Sequence, residues 1–196
     1  MGTRNLTAVM LNGEYKVAQY GQWDGYPDGQ GLRCLEFLRD KCDIDAFTNA
    51  VKSASFYATE EIDALLQGYG VDEDGYITMV DYKRFSNDYP ELSRDTGAGI
   101  LEIIQEKRGG VRLWNNIDFA ADSLFCEWAW VIDLDARSFE GYAGLNTTPL
   151  TPDDRFFFLA DQERKGYSGV KLVAKWSLDQ LPTDKEFLAA FEEDET

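Results

Sequence analysis

Residues 6–20 read LTAVMLNGEYKVAQY, in which two apolar and β-branched runs are separated by Asn12 and Gly13. An Asn-Gly pair between such runs is a strong hairpin signal, because both residues accept the positive φ angles of a type I′ turn. A two-stranded hairpin is only marginally stable in water by itself. The stretch therefore predicts an N-terminal β-hairpin whose strands pair with further strands of the chain.

The chain changes its hydrophobic period twice after this hairpin. Residues 32–109 carry apolar side chains at helical spacing, as in TEEIDALLQGYG and ILEIIQEK. Residues 110–182 contain short apolar runs broken by turn residues, which predict strands in VRLWN, SLFCEWAWVIDLD, SFEGYAGL, RFFFLA and VKLVAKWSL. Residues 183–196 predict a short capped helix and an acidic tail.

This order of segments predicts an α+β fold in a single domain spanning residues 1–196. The N-terminal hairpin and the C-terminal meander would form one mostly antiparallel sheet. The helical block would be inserted between them and would pack on one face of that sheet. Residues 1–31 would supply the hairpin and a connecting loop.

The composition excludes several classes of protein. A hydrophobic content of 44% and an aromatic content of 14% are typical of a folded chain. The formal net charge of −17 argues against direct contact with nucleic acid or anionic membranes, because phosphates require clustered Lys and Arg. The acidic surface either keeps the protein soluble or faces a basic host protein.

The cysteines and the lack of targeting signals predict a cytoplasmic protein. The three cysteines are an odd number without CxxC spacing, which suits reduced thiols. No secretory signal is evident, and no apolar run approaches the length of about 18 residues that a membrane helix needs.

The chain contains no histidine. Its absence removes His-activated serine and cysteine nucleophiles and most catalytic zinc sites. Any catalysis would depend on other groups, and the carboxylates of Asp24 and Glu127 are the candidates. Glu127 lies in the apolar run LFCEWAWVIDL, where it either faces solvent or occupies a pocket. We expect no cofactor.

Residues 20–31, YGQWDGYPDGQG, are termed the glycine-rich loop and are the main candidate binding site. Two aromatic side chains could hold a flat ligand, amides and a carboxylate could bind its polar edges, and the glycines allow close backbone approach. The candidate residues are Gln22, Trp23, Asp24, Tyr26 and Gln30. The alternative is an ordinary strand-to-helix connection whose aromatic residues cover the core.

Four further residues could contribute to that site. Arg94 and Asp95 lie in ELSRDTGAG, where backbone N–H groups at a helix start could hold an anion or could simply be capped. Arg4 and Asn5 lie at the beginning of the first predicted strand. Ends of rigid elements are where sites tend to form.

The run DEDGYITMVD resembles part of an EF-hand calcium loop. Asp72, Asp74 and Asp81 would occupy loop positions 3, 5 and 12, but Gly70 at position 1 offers no carboxylate. A turn followed by a helix cap explains the same residues, so they are only weak metal candidates.

The strings MGTRNLT, VAQYGQWDGYPDGQG, ELSRDTGAGILEII and SLFCEWAWVIDLD resemble a group of phage, bacterial and fungal proteins that begin MGTRN and carry a YGQWDGYP element. The resemblance implies no particular activity. A looser resemblance is to N-terminal-nucleophile amide hydrolases, which also begin with a strand in a hairpin. Those enzymes expose Cys, Ser or Thr as the first residue, whereas Gly2 precedes Thr3 here, so this resemblance concerns shape only.

Together these observations favour non-catalytic binding of a polar small molecule or a host partner protein, and the resemblance allows a phage origin. The alternatives are a hydrolase or transferase that uses carboxylate chemistry, and a calcium-binding helical module.

Overall fold

The computed structural model describes residues 2–72, 74–162 and 165–192, and it has the α+β architecture predicted from the sequence. Its main sheet has five strands in the order β2-β1-β5-β6-β7. The strand bounds are β1 Asn5–Leu11, β2 Glu14–Gly21, β3 Ser55–Phe56, β4 Arg112–Leu113, β5 Trp128–Asp133, β6 Ser138–Ala143 and β7 Lys171–Ser177. Strands β3 and β4 form a separate parallel pair.

The N-terminal hairpin is confirmed. Asn12 and Gly13 have φ angles of 56° and 73°, as a type I′ turn requires. The side chain of Asp135, in the β5–β6 turn, accepts hydrogen bonds from both backbone N–H groups at 2.8 and 2.9 Å. Strand β1 also pairs with β5 in parallel, while the other neighbours in the main sheet are antiparallel.

The α-helices are α1 Leu32–Glu36, α2 Ile44–Lys52, α3 Thr59–Gly68, α4 Met79–Asp88, α5 Ile100–Lys107 and α6 Asp184–Ala189. Wider π-type turns, Pro27–Gly31 and Phe37–Lys41, flank α1. Helices α1, α2, α5 and α6 contribute to the core on one face of the sheet, together with Val9, Trp130 and Ile132. The prediction that helices cover one face is therefore confirmed.

The opposite face is covered by two 3₁₀ helices, Ile117–Ala121 and Phe157–Gln162. The predicted strand in RFFFLA is therefore wrong. Phe156 and Leu159 are buried while Phe157 and Phe158 are exposed, and a spacing of three residues between buried side chains is helical. The run of three phenylalanines conceals this pattern in the sequence.

Helices α3 and α4 form a small core of their own, in which Ile62, Phe85 and Leu92 are buried. It adjoins the edge strand β2 through Trp114 and Tyr82. Within residues 2–72, 74–162 and 165–192, no helix has both the length and the apolar character that crossing a bilayer requires.

Candidate functional site

The parallel pairing of β1 with β5 brings several predicted site residues to one end of the sheet. Asn5 is opposite Trp128, so Arg4 lies beside Glu127. The backbone N–H of Arg4 donates to Glu127 Oε1 at 3.2 Å, and the N–H of Glu127 donates to the carbonyl of Arg4 at 3.1 Å. The Arg4 guanidinium lies 4.4 Å from the ring centre of Phe125.

The glycine-rich loop wraps around this end of β1. The N–H of Gly25 donates to the carbonyl of Thr3 at 2.9 Å, and the buried Trp130 indole donates to the carbonyl of Gly25 at 3.1 Å. Asn5 is fully buried, and its side-chain amide donates to the carbonyl of Trp23 at 3.3 Å. The loop is therefore anchored to the sheet by its backbone.

Gln30 is an internal anchor of the loop. Its Oε1 accepts a hydrogen bond from the backbone N–H of Ala98 at 2.8 Å, and its Nε2 donates to the carbonyl of Trp23 at 3.3 Å. Gly97, at φ +50°, packs so closely that a Cβ there would lie 2.6 Å from Gln30 Oε1. Both ends of this amide thus hold the backbone in place.

Arg94 and Asp95 contact the same loop. The Trp23 indole donates to Asp95 Oδ1 at 2.8 Å, and the N–H of Gln22 donates to the carbonyl of Arg94 at 2.9 Å. The Arg94 guanidinium stacks over Tyr82 at 4.4 Å. These candidates lie together, but many of their polar groups bond one another and stabilise the loop.

Four loop side chains are open to solvent: Trp23, Asp24, Tyr26 and Asp28. Tyr26 and Glu127 line a surface groove of about 740 Å³ with Trp128 and Phe191. Apart from Glu127 and Glu192, the lining of this groove is mostly apolar.

At the weak metal candidates Asp72, Asp74 and Asp81, the structure has a turn followed by a helix cap. Asp72 Oδ1 accepts hydrogen bonds from the N–H groups of Asp74 and Tyr76 at 3.0 and 2.8 Å. The N–H of Asp81 donates to Thr78 Oγ1 at 3.1 Å, which caps α4. Among the residues that the structure describes, no three Asp, Glu, His or Cys side chains converge on a metal position.

A larger and more polar cavity lies on the other face of the sheet, between the hairpin, strands β6 and β7, and residues 152–158. Its volume is about 800 Å³, and we term it the Glu140 pocket. The residues that line it are Met10, Gly13, Glu14, Tyr15, Asn115, Ile117, Glu140, Tyr142, Pro152, Asp153, Asp154, Arg155, Phe158, Leu172 and Lys175.

Glu140 is the centre of a buried hydrogen-bond network in this pocket. It is 1% exposed, and its carboxylate accepts bonds from Ser138 Oγ at 2.8 Å and from the Tyr142 hydroxyl at 2.6 Å. Arg155 donates to it through Nε and Nη2 at 2.7 and 2.9 Å. Lys175 Nζ forms an ion pair with Glu140 Oε1 at 2.9 Å.

Arg155 links this carboxylate to a second one. Its Nη2 donates to Asp133 Oδ2 at 2.6 Å, while Asp133 Oδ1 accepts from the N–H of Ala136 at 2.8 Å. Its Nη1 approaches Met10 Sδ at 3.0 Å, and a thioether is a weak acceptor. The guanidinium thus ties residues 152–158 to strands β5 and β6.

The network fixes the protonation states of its members. Burial opposes the ionisation of Glu140, but hydrogen bonds from Arg155, Tyr142 and Lys175 outweigh burial and lower its pKa to about 2. Burial raises the pKa of Tyr142, and the Glu140 charge raises it further. Burial also raises the pKa of Tyr15 to about 12, against the effect of Arg155. At neutral pH the carboxylate is ionised and both phenols are protonated.

The sequence contains one signal for this network. Glu140 is a charge inside a predicted strand, SFEGYAGL, just as Glu127 is in its own run. Ser138 and Tyr142 flank it at a spacing of two, so all three side chains share one face. Arg155 carries no such signal, because it comes from a distant segment.

Comparison of the chain with models of known protein families, with curated proteins and with solved structures finds no match in any of the three.

Proposed function

We propose that this chain is a non-catalytic binding protein for a polar small molecule, and that the ligand occupies the Glu140 pocket. The observation that carries the proposal is the Glu140–Arg155 network, which is buried yet forms the floor of an open cavity of about 800 Å³. Small-molecule sites are usually concave, largely apolar and equipped with a few polar groups in fixed positions.

The walls and floor of the pocket favour a ligand with an apolar body and at least one oxygen acceptor. Tyr15, Phe158 and Leu172 supply aromatic and aliphatic wall surface. Lys175 has a half-exposed side chain, so its ammonium group can meet a ligand while it contacts Glu140. A ligand oxygen would also be a better partner for Arg155 Nη1 than the Met10 sulfur is.

The electrostatics favour binding over acid–base catalysis. A general acid or base works best with a pKa near the operating pH. The pKa of Glu140 is held near 2 and that of Tyr15 near 12, so neither group exchanges protons readily at neutral pH. The carboxylate candidates Asp24 and Glu127 lie outside this pocket.

A test uses two neighbouring positions on β7. Leu172 lines the Glu140 pocket and is 44% exposed, whereas Val173 lines the groove with Tyr26 and is 45% exposed. Leu172→Trp should block the pocket, and Val173→Trp is a matched control of equal bulk on the opposite face.

Native mass spectrometry of the intact chain purified from cells should detect a retained small molecule. We expect that mass in the unchanged chain and in Val173→Trp, but not in Leu172→Trp. A chain that is empty in all three preparations, or a mass retained equally by both variants, would contradict the proposal.

A basic partner protein is the second candidate, favoured by the net charge of −17. The same spectra would then show a co-purifying protein whose complex dissociates as salt increases, because exposed charges are screened at high ionic strength.

A further inference from the structure

A second cavity, the Gln19 cleft, lies between the edge strand β2 and the α3–α4 pair. Its volume is about 370 Å³, and aromatic side chains make up much of its wall. Its lining includes Gln19, Tyr20, Leu66, Tyr82, Arg94 and Trp114. It shares no lining residue with the Glu140 pocket.

Gln19 places a buried, unpaired hydrogen-bond acceptor beside this cleft. The residue is 3% exposed, and its Nε2 donates to the carbonyls of Ser93 at 2.8 Å and Tyr20 at 3.2 Å. These two bonds fix the orientation of the amide, so the oxygen faces away from both carbonyls. Gln19 Oε1 is buried and has no hydrogen-bond partner among the described residues. An unpaired buried acceptor is costly, and a ligand donor would remove that cost.

The aromatic side chains around the acceptor are held in fixed positions. The Tyr20 ring packs edge-on against Phe119 at 4.9 Å, and its hydroxyl donates to Gln22 Oε1 at 2.7 Å. The Tyr82 ring is covered by the Arg94 guanidinium on one side at 4.4 Å. Rigid rings lose little conformational freedom when a flat molecule packs against them.

We infer that the Gln19 cleft is a second binding site, specific for a planar heteroaromatic ring that carries an amino group, as an aminopurine or aminopyrimidine does. The ring would pack among Tyr20, Tyr82 and Trp114, and its N–H would donate to Gln19 Oε1. A volume of about 370 Å³ accommodates one such ring system. An aliphatic ligand would leave the aromatic walls without stacking, and a ring without a donor would leave the acceptor unpaired.

The probes that test this inference are 9-methyladenine, which has one amino donor group, and 9-methylpurine, which has the same ring and no N–H donor. Both are titrated by calorimetry into the full chain. Because a polar site rejects an analogue that cannot pair with its buried groups, we expect 9-methyladenine to bind at least about tenfold more tightly.

Three variants locate the site. Trp114→Phe should remove the quenching of tryptophan fluorescence that 9-methyladenine causes, because Trp114 is the only tryptophan that lines the cleft among the described residues. Gln19→Leu should abolish the preference between the two probes. Leu172→Trp, which blocks the Glu140 pocket, should leave the affinity for 9-methyladenine unchanged.

The inference is overturned if 9-methyladenine does not bind at millimolar concentration, if both probes bind equally, or if Leu172→Trp abolishes binding. If Gln19→Leu does not fold, as judged by circular dichroism, the comparison of the two probes on the unchanged chain and the Trp114→Phe titration decide the question.

Discussion

Replacement of Glu140 by glutamine removes the charge at the centre of the buried network while it keeps the shape of the side chain. In the unchanged protein, Glu140 has a pKa of about 2 against an ordinary value of 4.5. At about 1.36 kcal/mol for each pH unit, this difference corresponds to about 3 kcal/mol of stability. Water in the open pocket screens part of the interaction. We therefore expect the charge of Glu140 to contribute about 2 kcal/mol to the free energy of unfolding at pH 7.

The direction of the pH dependence follows from the lowered pKa of Glu140. Its contribution is fully present above pH 4.5 and is lost as the pH falls toward 2, because the unfolded chain then binds the proton first. At pH 7, Glu140→Gln should reduce the free energy of unfolding by about 2 kcal/mol, since it leaves the partly buried Arg155 without one of its two carboxylate partners. The difference between the two proteins should narrow by at least about 1 kcal/mol at pH 3.

Urea unfolding followed by tryptophan fluorescence at pH 7, 5 and 3 measures both quantities. Glu102→Gln is the matched control, because Glu102 also pairs with two cations, Arg33 and Lys41, but at the surface. We expect the control to change the free energy of unfolding by less than about 1 kcal/mol. A Glu140→Gln protein within that same limit at pH 7, or a difference that does not change with pH, would refute the reasoning.

Three further predictions concern the framework around the sites. Gly97→Ala should lower the free energy of unfolding, measured in urea, by about 2–3 kcal/mol, because φ is +50° and the added Cβ would collide with the Gln30 side chain. Gly13→Ala should lower it by only about 1 kcal/mol, because φ is +73° there but the space around the added Cβ is open. Asp135→Ala should cost about 1 kcal/mol in the same assay, because it removes two hydrogen bonds to the hairpin turn, and an unchanged midpoint would argue against that role. In native alkylation mapped by mass spectrometry, half-buried Cys42, whose pKa burial raises to about 11, should react slowly, and the two fully buried cysteines only after unfolding.

Local sequence signals predicted the elements whose structure is determined locally. The Asn12-Gly13 turn needs only its own φ angles and the apolar runs beside it, so the hairpin could be identified without knowledge of the rest. The α+β class could also be predicted locally, because the spacing of apolar residues changes from a helical period to short strand-like runs along the chain. The RFFFLA segment was mispredicted because three consecutive phenylalanines give no period, and its 3₁₀ helix is held by contacts with the sheet.

The candidate site was predicted less completely, because its residues meet through strand register and not through sequence proximity. The sequence indicated that Arg4, Asn5, Glu127 and the glycine-rich loop would lie near strand ends, and the parallel β1–β5 pairing does place them at one end of the sheet. Arg155 reaches Glu140 from a separate segment, and only the packing of residues 152–158 onto β6 shows the pair.

The position of the ion network is itself an argument for a ligand at the Glu140 pocket. A buried ion pair usually gives no more stability than apolar side chains of the same volume, because desolvation offsets much of the attraction. A purely structural role would be met equally well by apolar packing between β6 and residues 152–158. Here the charged groups form the floor of an open cavity, and Lys175 extends from the network toward solvent. Fixed charges beneath an accessible volume are the arrangement that recognition of a polar molecule requires, because the protein then need not reorganise when the ligand binds.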